Sequence, residues 1–136
     1  MPTDIHALCD TIEDCYEFTL SYAAQGRASD EGTELRRKLI GAAEAMRGLE
    51  RSCIDTVNRE QLSPAEKYEA FFRVLARDAQ SAIAAIDLVL VQPAISSQLI
   101  DNLNASIHLR ALLTDLFLVT EILTLRQTQP KEIATS

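Results

Sequence analysis

Glycine, proline and aromatic residues are scarce in this chain. Its 136 residues include four glycines, four prolines and no tryptophan. A sandwich or a barrel consumes turn residues at short intervals, so this composition disfavours an all-β fold. Because 47% of the residues are hydrophobic and 24% are charged, the composition is that of a globular domain. The length is sufficient for one hydrophobic core without metal or disulfide support.

Cysteine is also scarce, and it forms no ligand motif. Cys9, Cys15 and Cys53 are odd in number and have no CxxC spacing, which argues against a disulfide framework and against a zinc site. His6 and Cys9 lie three residues apart, but two side chains are only half of a metal-ligand set. We therefore expect reduced thiols, with Cys15 and Cys53 in the core, and no metal or other cofactor.

The chain lacks the patterns that direct a protein to a membrane. It begins "MPTDIHALCDTIEDCYEF", with acidic residues where a secretion signal has basic residues and an apolar run. No stretch of eighteen uncharged apolar residues occurs in it, so no transmembrane helix is predicted. These observations predict a cytoplasmic protein.

Positive charge is in the minority, with 13 Lys and Arg against 20 Asp and Glu and a formal net charge of −7. This balance disfavours long-range attraction to nucleic acids and to anionic lipids. The basic residues of one predicted helix share a side, and they are Arg36, Arg37, Lys38, Arg47 and Arg51. The helix before it is acidic, so antiparallel pairing of the two would neutralise the cluster. If the cluster is exposed instead, nucleic-acid binding is the alternative function.

Apolar residues recur at spacings of three and four, which predicts four amphipathic helices. Their approximate ranges are 4–25, 33–58, 64–91 and 97–127. Short connections favour antiparallel neighbours. We therefore expect an all-α fold, a single-domain four-helix up-and-down bundle over residues 1–129 with a flexible tail at 130–136.

Two local patterns refine this expectation. In "LSPAEKYEAFF", Ser63, Pro64 and Glu66 have the spacing of a capping box, so the third helix should begin there. A stripe of small residues on the second helix suggests close approach of another helix. Its members are Gly41, Ala45, Gly48 and Ser52.

The fourth predicted helix has two apolar stripes on opposite sides. The first consists of Leu109, Leu112, Leu113, Leu116, Val119 and Leu123. The second consists of Ile107, Ala111, Leu118, Ile122 and Leu125. A helix of a lone bundle needs one apolar stripe, so the second stripe predicts an interface, with another copy of the chain as the partner. The sequence leaves open which stripe faces the core.

His108 is the residue that most resembles a catalytic group. It precedes Asp115 by seven residues, about 10 Å along the helix axis, which is too far for a hydrogen bond. If the third and fourth helices pair about Ala94, Gln80 lies opposite His108 and Arg73 opposite Asp115, which predicts a structural role for the histidine. Phosphotransfer or other catalysis at His108 is an alternative.

No catalytic constellation is found in the sequence. There is no phosphate-binding loop, no ExxH pair and no nucleophile with a base at a meaningful spacing, so no catalytic residue is predicted. We expect a protein that is not an enzyme and that acts through protein-protein association. An adaptor, a scaffold or a regulatory accessory protein that forms a homo-oligomer fits this description.

Overall fold

Six α-helices form the computed structural model, which describes residues 4–128. They are α1 (Ile5–Ala23), α2 (Leu35–Arg47), α3 (Leu49–Glu60), α4 (Ala65–Leu90), α5 (Ser97–Ala105) and α6 (Ile107–Thr128). No strand occurs within this range, so the all-α prediction is confirmed. The four-helix up-and-down bundle is not confirmed, because two of the predicted helices are each divided. The predicted tail at 130–136 lies outside the described residues.

The second predicted helix is divided at Gly48, between α2 and α3. Gly48 has φ −85° and ψ −7°, and its N–H lies 3.3 Å from the Glu44 carbonyl oxygen and 3.1 Å from that of Ala45. A Cβ at Gly48 would lie 3.6 Å from Leu8 Cδ1 of α1, whereas a Cβ at Gly41 would meet nothing within 4 Å. The close approach suggested by the stripe of small residues thus involves α1 and is found at Gly48, not at Gly41.

The fourth predicted helix is divided at Ser106, which has φ −65° and ψ 138°. This extended residue ends α5. Its hydroxyl accepts a hydrogen bond from the Leu109 N–H at 3.3 Å, which caps the start of α6. Because Ser106 is not helical, the apolar positions of α5 and α6 follow separate periodicities.

The predicted capping box at Ser63, Pro64 and Glu66 is wrong. The N-cap of α4 is Pro64, with φ −75° and ψ 125°, and no side chain caps this helix. The Pro64 carbonyl accepts the hydrogen bond of the Lys67 N–H at 3.1 Å. The helix thus begins one residue later than predicted, so the Ser63 hydroxyl is one position too early to reach the first free amides.

The core lies where α1, α2 and α5 pack against α4 and α6. α1 packs mainly on α2 and α5, whereas α4 packs mainly on α6, α2 and α3. The largest fully buried side chains come from all six helices, among them Tyr22 near the end of α1, and from one loop position, Ile95. Those from the helices include Ile5, Ile12, Leu35, Leu39, Leu49, Leu75, Ile86, Ile100, Leu112 and Leu116.

A carboxylate joins the loop between α1 and α2 to the loop between α4 and α5. Asp30 accepts hydrogen bonds from the Ile95 N–H at 2.9 Å and from Arg36 Nε at 2.7 Å. Arg36 also donates to the carbonyls of Leu90 at 2.8 Å and Gln92 at 2.6 Å, where α4 ends. Burial opposes ionisation of Asp30, but these donors outweigh it and lower the pKa of the carboxyl.

A second set of hydrogen bonds joins the end of α1 and its following loop to the loop before α5 and the first residue of α5. The Tyr22 hydroxyl donates to the Ile95 carbonyl at 2.6 Å. The Ser97 hydroxyl donates to the Tyr22 carbonyl at 2.7 Å and accepts from the Arg27 N–H at 2.8 Å. Together with the Asp30 bonds, these contacts form the loop clamp, which fixes the end of α1 against the start of α5.

Candidate functional site

The inner stripe of α6 faces the core, which answers the question that the sequence left open. Leu109, Leu112, Leu113, Leu116, Val119 and Leu123 are all buried. The opposite stripe is the outer face of α6, and it consists of Ile107, Ala111, Leu118, Ile122 and Leu125. Ile107 is 74% exposed, Leu118 49% and Leu125 50%, while Ala111 and Ile122 are half-buried. An exposed row of large aliphatic side chains is a feature of interaction surfaces.

An apolar groove borders the outer face on the side of α4. It has a volume of about 390 Å³, and its lining includes Tyr68 and Phe71 from α4 and Leu118 and Ile122 from α6. Lys67 is the only charged residue among those that line the groove. The groove therefore widens the apolar surface beyond α6 itself.

Two carboxyl groups meet where α4 and α6 pack. Asp78 lies within hydrogen-bond reach of Asp115, and burial together with this neighbour raises the pKa of Asp115 to about 7. The Asp115 Oδ2 atom is buried and accepts no hydrogen bond. Within the described part of the chain, no cation lies within ion-pair distance of either carboxyl. A proton shared by the two groups is therefore the means of relieving their repulsion.

Two residues of opposite charge lie on the edge of the outer face that is away from α4. Arg110 and Glu121 are exposed, and they lie eleven positions apart, which is three turns of helix and places them within about 20° of each other. Phe117, on the same side, is 52% exposed. This edge thus carries one cation near its beginning and one anion near its end.

His108 lies on the exposed surface of α6 and makes no hydrogen bond or ion pair with the described residues. The predicted pairing of α4 with α6 about Ala94 is wrong, because Asp78 and not Arg73 faces Asp115. The physical reason is that α5 and the extended Ser106 separate α4 from α6 along the chain, so the two helices are not paired symmetrically about a single loop residue. The structural role predicted for His108 through Gln80 therefore loses its basis, and catalysis at His108 stays a prediction without a partner residue.

The predicted basic cluster does not form one surface. Arg36 turns to the loop clamp, and Lys38 turns to α1, where its ammonium lies 2.8 Å from Asp14 Oδ2 and 5.8 Å from the centre of the Phe18 ring. The predicted neutralisation by the acidic first helix is therefore confirmed at Lys38.

The remaining cations of this cluster point in other directions. Arg37 pairs with Glu34 one turn away. Arg47 reaches α4, where it donates to Asp87 Oδ2 at 3.0 Å. Arg51 is exposed on α3. Nucleic-acid binding by these residues stays a prediction, but four of the five cations are already engaged within the chain.

The three cysteines are buried, as predicted for Cys15 and Cys53. Burial, with nearby acidic groups, raises the pKa of Cys9 to about 12 and that of Cys15 to about 11, and the thiol of Cys53 is likewise raised to about 12. Such thiols are poor nucleophiles and poor metal ligands. No cluster of three metal-ligating side chains occurs among residues 4–126.

A second depression lies at the opposite end of the fold from the loop clamp, where α1 begins. Its charged lining is mixed, with Asp4 and Glu60 beside His6, Arg59 and Arg126. Arg59 Nη2 lies 4.0 Å from Asp4 Oδ1, and its Nε lies 3.7 Å from a carboxylate oxygen of Glu60. Since anions and cations alternate here, the depression selects no ligand charge.

None of the described helices is sufficiently long and apolar to cross a bilayer. The chain matches no protein-family model, no curated protein and no solved structure. The candidate site therefore rests on the geometry alone: the outer face of α6, the adjoining apolar groove and the Asp78 and Asp115 carboxyls. The sequence indicated the outer face by its second stripe, but it contained no signal for the carboxyl pair.

Proposed function

We propose that this protein acts through protein-protein association and that it forms a homodimer through the outer face of α6. The observation that carries this proposal is the exposure of large aliphatic side chains along one line of a helix whose opposite side is fully buried. Full burial of a large aliphatic side chain contributes about 1.5–3 kcal/mol, and covering the exposed part of these side chains contributes a corresponding share. A surface with several of them, widened by the apolar groove, is suited to a stable interface.

An adaptor, scaffold or regulatory accessory role follows from this proposal, because the described site offers a contact surface and no catalytic group. The cytoplasm as its location belongs to the same proposal, and it is supported by three buried cysteines that form no disulfide with one another.

The experiment is a double substitution, Leu118→Glu with Ile122→Lys, examined by sedimentation velocity at micromolar concentration and by circular dichroism. We expect the parent to be a dimer and the variant to be a folded monomer. Leu20→Glu on α1 is the matched control, because Leu20 is 48% exposed and Leu118 is 49% exposed. A parent that is monomeric, or a dimer that survives the double substitution, would disprove the proposal.

A further inference from the structure

Pairs of residues on the outer face of α6 and its edge lie at nearly equal distances on either side of residue 116. One pair is aliphatic, and the other pair consists of two opposite charges. Ile107 and Leu125 stand at its two ends, with their midpoint at residue 116. The exposed Arg110 and Glu121 have their midpoint between residues 115 and 116. Each of these two charges is therefore about 8 Å from the middle of the face, at a rise of about 1.5 Å per residue.

We infer that two copies of α6 pack antiparallel across a two-fold axis near residue 116, with Arg110 of each copy against Glu121 of the other. This inference rests on the proposed function and specifies the partner and the register of that surface. When a two-fold axis relates two antiparallel helices, a residue on one edge of the first helix meets a residue on the same edge of the second. Within one helix, the positions of these two residues lie at equal distances on either side of the two-fold axis. Arg110 and Glu121 satisfy both conditions, so one contact contains two identical ion pairs.

A second copy fits this surface better than an unrelated acidic or basic partner. The chain as a whole has a formal charge of −7, so most of its surface repels another copy. The edge of α6 with Arg110 and Glu121 is locally neutral, and it is complementary to itself and not to a surface of one sign. Complementary charge of this kind sets register and excludes wrong partners more than it adds affinity.

The same register brings the two Asp115 side chains toward each other, on the edge of α6 that faces α4. Asp78 on α4 is the charged group that acts on Asp115. His108 shares this edge about 10 Å along the axis, while Arg110 and Glu121 occupy the opposite edge. Because burial and Asp78 raise the pKa of Asp115 to about 7, the group binds a proton below that pH and the approach is tolerated. The dimer should therefore be weaker at pH 8 than at pH 6.

The test uses charge reversal, measured by sedimentation equilibrium at pH 6 on the full chain. Arg110→Glu and Glu121→Arg should each raise the dimer dissociation constant by at least about tenfold, because each variant replaces two attractions by two repulsions. The variant with both substitutions should recover the parent affinity. An equimolar mixture of the two single variants should form a heterodimer, since every contact between them then joins opposite charges.

The control is Glu17→Arg, a reversal at an exposed position of α1, which should leave the dimer intact. A dimeric parent whose affinity is unchanged by both single reversals, or single variants that fail to rescue each other when mixed, would overturn this register while leaving association by α6 in place. A monomeric parent would overturn the proposed function and the register together. Circular dichroism on each variant separates loss of association from loss of fold.

Discussion

Asp115→Asn should stabilise the folded protein above neutral pH. The folded chain holds the Asp115 carboxyl beside Asp78 with one buried oxygen that accepts no hydrogen bond. Ionisation is therefore unfavourable in the folded state and unhindered in the unfolded chain. Asparagine has nearly the same shape, carries no charge, and its amide can donate to the Asp78 carboxylate.

The magnitude follows from the difference between the two states. An aspartate in an unfolded chain has a pKa of about 3.9, and the folded environment raises the pKa of Asp115 to about 7. At about 1.36 kcal/mol per unit, the full difference corresponds to about 4 kcal/mol. Because the side chain is half-buried and solvent screens the rest, we expect a gain of about 1–3 kcal/mol in the free energy of unfolding.

The direction of the pKa shift of Asp115 determines the pH range in which Asp115→Asn stabilises the protein. With the folded-state pKa raised, the folded parent binds the proton more tightly, so its stability is greatest below about pH 4 with respect to this group and is lost as the pH rises to about 7. The gain from Asp115→Asn should therefore be small at pH 4.5, grow with pH and level off near pH 8.

Urea unfolding at pH 4.5, 6 and 8, at one protein concentration, measures this gain directly. Asp101→Asn, at an exposed position of α5, is the control and should show little change at any of the three values. A variant that is less stable than the parent at pH 8, or a gain that is the same at all three values, would refute the reasoning.

Three further substitutions test the local structure, each by urea unfolding. Asp30→Ala should destabilise by about 2–4 kcal/mol, because it leaves the buried Ile95 N–H and a half-buried guanidinium without their acceptor; a loss below about 0.5 kcal/mol would show that the loop clamp contributes little. Ser106→Ala should cost about 0.5–2 kcal/mol through loss of the α6 cap, whereas Ser63→Ala should stay within about 0.5 kcal/mol because Ser63 caps nothing. A larger loss of stability from Ser63→Ala than from Ser106→Ala would instead support the capping box at Ser63.

The sequence predicted what depends on local periodicity. The apolar spacing located all the helical regions, and the two stripes of the last helix correspond to a buried side and an exposed side. Both helix breaks were missed. The three- and four-residue spacing of apolar residues continues through Gly48 and Ser106, so it predicted one helix at each place where the structure has two. Ser106, a residue type favoured at helix N-caps but placed inside the predicted fourth helix, is the signal that could have revealed the second break.

The missed contacts depend on tertiary packing. Asp78 and Asp115 belong to different helices, and α5 separates these helices along the chain, so no spacing in the sequence relates the two residues. The same holds for Arg36, which reads as one member of a basic cluster but binds a carboxylate and two carbonyls in loops. Long-range partners of this kind decide whether a charge is structural or available to a ligand.

The loop clamp also sets where this fold opens first. Ile95 lies in a loop between helices, yet it is fully buried and both its N–H and its carbonyl are bonded to side chains from the far end of α1 and the following loop. Its amide proton is therefore released to solvent only when the core itself opens, as in a central helix. At the other end, α1 begins without a side-chain cap, and exposed contacts alone tie Arg59 and Arg126 to their neighbours. We therefore expect amide exchange to begin at the start of α1, and the Ile95 amide to exchange as slowly as the amides of the core helices.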